Sequence, residues 1–243
     1  DAMKHFGAAM ASFGSSALFH ILGITPEALH SRDLSYQHLP EVVISKEEVM
    51  GLQKSYRIAD EIDVVVFSAP QLSLMEMKSI AELCHGKKFI KPLLAMTSPQ
   101  VKPDSDRMGY TKMIENAGGT VFSGMCFYQS YAREIAEANG WKVLATNSAK
   151  IVNILGGYGY TPMLASMEDC VEAAVTGVML DPAMPISYVA FVPKVAESFV
   201  RFPPESLAVI VKVAMSPGTY DGLSRVAVYL FTPLAHAATK SFE

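Results

Sequence analysis

GTVFSGMCFYQSYAREIAEANGWKVLATNSAKIVNILGGYGYTPMLASMEDCVEAAVTG, residues Gly119–Gly177, alternates short apolar runs with helix-period segments. Thr120–Phe122 and Trp141–Ala145 read as strands, and each ends in small or polar residues before a helical pattern begins, over Tyr128–Asn139 and from Ser148 to Leu155. A further strand near Met163–Ala165 leads into a helix over Ser166–Thr176, with Ser166 and Asp169 at its cap. This alternation predicts parallel strands joined by right-handed helical crossovers. Ligands of such layers sit where strands stop and helices start. Ser123–Cys126 and Thr146–Lys150 therefore mark a candidate site edge.

Upstream the rhythm continues. Asp63–Ala69 (DVVVFSA) is the β-branched run of a strand covered on both faces, and Ser73–Cys84 is a helix with Ser73 and Glu76 as its capping box. Ile90–Thr97 is the next strand, followed by a helix over Asp104–Asn116. Nearer the start, the pattern predicts a helix over Ala2–Phe13, a strand over Ala17–Leu22, a turn at Gly23–Glu27 and a surface connection over Leu29–Pro40 that carries solvated His30 and His38. Ser45 caps a helix running to Ile58. The fold expected is a Rossmann-like α/β parallel sheet over residues 1–179. Residues 180–243 are proline-rich and break the rhythm, and their apolar runs Ser206–Ala214 and Leu223–Phe231 stay unplaced as a C-terminal extension.

Half of the 243 residues are apolar, enough for a sizeable core. A net charge of -4 with no Lys/Arg cluster argues against a nucleic-acid or anionic-membrane surface and for small-molecule chemistry or protein partners. Three cysteines without framework spacing point to a reducing compartment, the cytoplasm. No run of about eighteen apolar residues predicts a membrane span. The chain opens at Asp1 without a Met, in residues that read as the middle of a domain, and so reads as a fragment or a processed product.

Three strand tips carry the candidate chemistry: Ser68-Ala69-Pro70-Gln71, Ser123-Gly124-Met125-Cys126 and Thr146-Asn147-Ser148-Ala149-Lys150. In a parallel sheet they share one edge, so Gln71, Cys126, Asn147, Ser148 and Lys150 can converge on one ligand. A Cys at a helix start suits metal binding or nucleophilic work, and it equally suits packing. Asn147 and Ser148 read as helix caps as readily as ligand contacts. Lys150 sits against the preference of the helix dipole, which suits an anionic ligand in front of it. His20 is either a hydrogen-bonded core residue or a ligand, while Cys84 and Cys170 read as core. Gly156-Gly157-Tyr158-Gly159 reads as a helix end and turn, and no nucleotide, zinc-protease or nucleophile-elbow motif is present.

Ala8–Ser12 with Ala17–His20 and Gly23–Glu27, Asp63–Ala69 leading to Pro70–Ser73, then Cys126 and Ala145–Lys150, resemble in order and spacing the large subunit of aconitase X, over residues 1 to about 179. The resemblance implies a dehydratase of a small hydroxy acid, cis-3-hydroxy-L-proline above all or mevalonate 5-phosphate. It further implies iron, as an iron-sulfur cluster or a single ion, to take the leaving hydroxyl, and a small swivelling-domain subunit as partner to supply the base. It matches Cys126 to a metal ligand and Thr146, Asn147, Ser148 and Lys150 to a motif beside the active site. Ser148 and Lys150 are therefore expected in catalysis at the substrate carboxylate and Thr146 and Asn147 in substrate binding, with Gln71 and Ser68 added to substrate binding from their place at a strand tip. The chain departs where the family often has Gly-Cys-Pro-His and this sequence has Ser68-Ala69-Pro70-Gln71. It departs again at Gly124, where an Asp is common, and at Thr97-Ser98-Pro99, where Thr-Ser-Arg is. The family's N-terminal half and the small domain's Ser-rich loop are not recognisable. A catalytically inactive subunit with a binding or structural role in a larger assembly is the alternative.

Overall fold

The computed structural model describes residues 1–14, 18–21, 24–28, 41–44, 51–52, 54–180, 208–215 and 223–231. Two compact units divide the chain: Asp1–His5 with Gln53–Val189, and Phe6–Leu52 with Ala190–Glu243. Residues Phe6–Leu52 thus share a unit with the C-terminal stretch Ala190–Glu243, while Asp1–His5 belong with the central part of the chain. The expected connection over Leu29–Pro40 with His30 and His38, and most of the helix from Ser45, lie outside the described residues.

The first unit is a five-stranded, all-parallel sheet. Its strands are β3 (Val64–Leu72), β4 (Leu93–Thr97), β5 (Thr120–Ser123), β6 (Val143–Thr146) and β7 (Thr161–Leu164), in the order β5-β4-β3-β6-β7. Alternation along β3 feeds both faces. Val65 and Phe67 pack with Met77 and Ile80 of α2 (Leu74–Cys84). Val64 and Val66 pack on the other side with Ile151 and Leu155 of α6 (Ala149–Leu155). Val64 through Phe67 are all fully buried. A strand that is apolar without interruption has no face to offer water, so helices must cover both sides, and the doubly wound layer follows. The parallel α/β layer is the fold that the alternation predicts.

Caps read from the sequence set two helix starts. Ser73 accepts from the Glu76 N–H while the Glu76 carboxylate accepts from Ser73 N, closing the box before α2. Ser166 accepts from Asp169 N at 2.9 Å and opens α7 (Met167–Thr176). Each such cap stabilises its helix by about 1 kcal/mol.

Elsewhere the boundaries move for local reasons. The single helix expected over Asp104–Asn116 is two, α3 (Lys102–Arg107) and α4 (Tyr110–Ala117), broken at Gly109, whose φ of 81° no helix accepts. The helix expected from Tyr128 is a 3-10 turn, Phe127–Gln129, followed by α5 (Ala132–Asn139). Tyr131 stands between them at φ 58°, left-handed backbone that ends one helix before the next starts.

The second unit holds α1, which spans Ala2–Gly14 and enters this unit at Phe6, and a four-stranded sheet ordered β1-β8-β9-β2. The strands are β1 (Leu18–Ile21), β2 (Glu41–Ile44), β8 (Ala208–Met215) and β9 (Leu223–Phe231). The two apolar runs left unplaced in the sequence are its central antiparallel pair. β1 lies parallel to β8, and β2 antiparallel to β9. Phe6 and Phe19 meet edge to face at 4.9 Å. His20 is buried, and its Nδ1 has no hydrogen-bond partner among the described residues. No helix among the described residues is long and apolar enough to cross a membrane.

Candidate active site

The strand order reverses between β3 and β6, because β4 and β5 extend the sheet to one side of β3 and β6 and β7 extend it to the other. At such a reversal the crossover helices leave for opposite faces and open a crevice beyond the strand ends. Ser68 to Gln71 on β3 and Thr146 to Ser148 at the end of β6 stand at that edge. Cys126 belongs to β5's tip, two strands away, but the 3-10 turn after it folds back onto β3.

The joint is made of named hydrogen bonds. Ser68 Oγ accepts from Phe127 N at 3.1 Å and lies 4.0 Å from Cys126 Sγ. Gln71 Nε2 donates to Met125 O at 3.1 Å. One strand tip thus grips the turn on both sides of Cys126. Ser148 Oγ donates to Ala69 O at 2.7 Å and accepts from Ile151 N at 3.2 Å as the cap of α6. Thr146 Oγ1 accepts from Ser148 N at 3.2 Å. Ala69 sits at φ 43°, a conformation that costs an alanine about 1 kcal/mol, and the Ser148 bond holds its carbonyl there.

Two polar side chains remain uncommitted. Asn147 is 1% exposed, and its Nδ2 has no partner among the described residues, although a buried amide donor left alone costs about 1–3 kcal/mol. Lys150, half-buried, holds its ammonium 5.7 Å from the centre of the Tyr128 ring and has no carboxylate partner among the described residues. Such a pair of donors beside a strand tip suits a carboxylate or phosphate.

The cysteines separate by environment. Burial pushes the Cys84 thiol up to about 12 against the opposing charge of Lys87. Burial raises Cys170 well above the ordinary thiol value, with Asp169 and Glu168 adding to it. Both are core, as their spacing suggests, and Cys126 is the partly exposed thiol.

The site residues do not fit an iron-sulfur cluster. Cluster iron takes thiolate ligands in sets, and the crevice offers one thiol, with Ala69 and Gln71 where the resemblance would place Cys and His. Among the described residues no group of three or more His, Cys, Asp or Glu could hold a metal ion.

The spacing argument misses a group from the start of α1. Glu76, 6% exposed, accepts from His5 Nε2 at 2.7 Å, from Ser73 N at 2.7 Å and from Lys4 Nζ. Lys4 Nζ also donates to Gln71 O at 2.8 Å. Burial drives the Glu76 carboxyl upward, but the bonds from His5, Lys4 and Ser73 and the charge of Lys4 outweigh it and hold the group at about 2. The capping box at Glu76 was legible; the partners that arrive from residues 4 and 5 were not.

Comparison with known proteins bears on the family and the fold. Residues 62–176 match the aconitase X third domain, and residues 1–54 match the aconitase X second domain. The phosphomevalonate dehydratase large subunit of Methanocaldococcus jannaschii is 37% identical over 151 residues, which cover 62% of this chain and 36% of that protein. The cis-3-hydroxy-L-proline dehydratase of Pseudomonas aeruginosa is 30% identical over 184 residues, 73% of this chain and 31% of that protein. The crystal structure of Thermococcus kodakaraensis aconitase X in its holo form superposes with a TM-score of 0.63 at 31% identity, covering 71% of this chain and 43% of that one. The chain spans less than half the length of the curated relatives it matches. With two domains of one family in order along the chain and a solved relative of the same fold, the chain belongs to the aconitase X family.

Proposed function

We propose that this chain forms one wall of a dehydratase site that removes water from a small hydroxylated carboxylic acid. The observation that carries the reading is the strand-order reversal, where the Asn147 amide donor is buried without a partner among the described residues and the Lys150 ammonium stands 5.7 Å from the ring of Tyr128, two residues after Cys126. Lys150 and Asn147 take the substrate's carboxylate. Ser148, whose hydroxyl is engaged with Ala69 O and Ile151 N, serves by fixing the tip, as Thr146, Ser68 and Gln71 do. Loss of water also needs a base for the C–H bond and an acid for the departing hydroxyl. We assign the base to a small swivelling-domain subunit and the remaining site groups to parts of the protein beyond this chain, in the cytoplasm.

Relatives named for phosphomevalonate and for cis-3-hydroxy-L-proline both match, and cis-3-hydroxy-L-proline is the first substrate to try. The lone thiol of the crevice favours a second reading, an inactive subunit that keeps the fold for binding or assembly.

The test uses the complete protein, purified anaerobically with whatever small subunit accompanies it. Dehydration of cis-3-hydroxy-L-proline and of mevalonate 5-phosphate is assayed beside iron content. The expected result is turnover of one of them, with kcat/KM reduced about a hundredfold in Lys150→Met. No turnover of either acid, with less than about a tenth of an iron per chain, would hand the site to the second reading.

A further inference from the structure

We infer that Lys4, His5 and Glu76 are positioning residues that hold Cys126 in place, acting through Gln71. The inference rests on the reading of the crevice as a functional site, but its geometry stands apart from any reaction.

The turn that carries Cys126 is held to β3 at two points, one on either side of the thiol. Phe127 N reaches Ser68 Oγ, and Met125 O receives Gln71 Nε2. Ser68 is 2% exposed and lies inside the sheet. Gln71 lies near the strand's end and is only half-buried, so its position depends on what holds its backbone. On one side the hydroxyl of Thr97 donates to Leu72 O at 2.7 Å. On the other, Lys4 Nζ donates to Gln71 O at 2.8 Å. Lys4 is itself fixed by the buried Glu76 carboxylate, with Asp1 3.8 Å away, and Glu76 is fixed in turn by His5 and by the Ser73 N–H at the start of α2.

A buried carboxylate tolerates little displacement, because losing one donor leaves charge unpaired in a poorly solvated place. The rigid end of the relay is therefore Glu76, and the adjustable end is the Cys126 turn. A change at Lys4 should reach the thiol as a change in how often that turn opens.

Alkylation of Cys126 by iodoacetamide reads this directly. The complete protein is dialysed against a chelator, and the Cys126 peptide is followed by mass spectrometry, with buried Cys84 and Cys170 as internal references. Lys4→Met and Gln71→Leu are expected to raise the Cys126 rate about fivefold, Lys4→Arg to return it to within about twofold, and Ile114→Val, a core change on α4 outside the relay, to leave it unaltered. Should Lys4→Met fail to fold, Gln71→Leu, which disturbs no charge, carries the test alone. An unchanged Cys126 rate in Gln71→Leu, or an equal rise in Ile114→Val, overturns the inference. If the labelling effect is present in a protein that dehydrates neither acid, the dehydratase reading falls and the clamp stands.

Discussion

The five-stranded and four-stranded sheets are assembled on opposite principles. In the five-stranded sheet each strand is followed by helical structure, and β3, β4 and β6 pair with the next strand along the chain. In the four-stranded sheet the central pair comes from residues 208–231 and the flanking strands from residues 18–44, so that Leu18 pairs with Ala208. The first kind of sheet announces itself as a local rhythm. The second depends on partners distant in sequence, and no window of the chain contains the pattern.

The largest test of this contrast removes the distant partners. A chain ending at Leu180 lacks β8 and β9, which leaves β1 and β2 without their neighbours while every strand of the parallel sheet keeps its own. Amide exchange should then show protection retained at Val64–Phe67 and Leu93–Thr97 and lost at Leu18–Ile21 and Glu41–Ile44, a drop to nearly unprotected rates. Protection surviving at Leu18–Ile21 would mean that the strand does not need β8.

A smaller effect sharpens the account of the parallel unit. The Glu76 carboxyl stays ionised in the folded protein down to about 2, against an ordinary 4.5. Its contribution is therefore complete above pH 4.5 and is lost as pH falls from there toward 2, because the unfolded chain takes up the proton first. Urea unfolding across that window should lose on the order of 3 kcal/mol that Glu76→Gln does not lose. Parallel curves for the two proteins would remove Glu76 from the stability of the unit.

The smallest change tests packing at the joint between α4 and β5. A Cβ on Gly119 would stand 2.7 Å from Ile114 Cγ2 and 3.2 Å from Ile114 O, and Ile114 is fully buried. Gly119→Ala should cost about 1–3 kcal/mol in thermal or urea unfolding. A neutral result would show that Ile114 has room to shift.

The same contrast explains what the sequence made legible. β3 could be read because four consecutive apolar residues fit only a strand covered on both faces, and α2 because Ser73 and Glu76 stand at capping distance. The break at Gly109 and the late start of α5 went unread: a glycine or a tyrosine inside a helical pattern does not declare a left-handed φ. β8 and β9 went unread because apolar runs acquire an identity only from their partners.

At the site, Cys126, Asn147, Ser148 and Lys150 were legible as strand-tip residues, since the parallel layer puts all tips on one edge. What each atom does there was not legible. The Ser148 hydroxyl is taken by Ala69 O and Ile151 N, and that depends on where two separate tips meet. Lys4 and His5 lay far outside the pattern because their link to Glu76 joins positions some seventy residues apart.

The central placement of β8 and β9 also sets an order of events on the ribosome. The parallel sheet has all its strands and its last helix once Thr176 has emerged, and it can close while synthesis continues. β1 and β2, made early, must wait for residues near 208 and 223 before they have an edge to pair with. During that interval they are exposed strands in a nascent chain, the condition in which chaperones and neighbouring copies compete for them. β1 and β2, translated well before β8 and β9, are thus among the last strands to reach their final pairing.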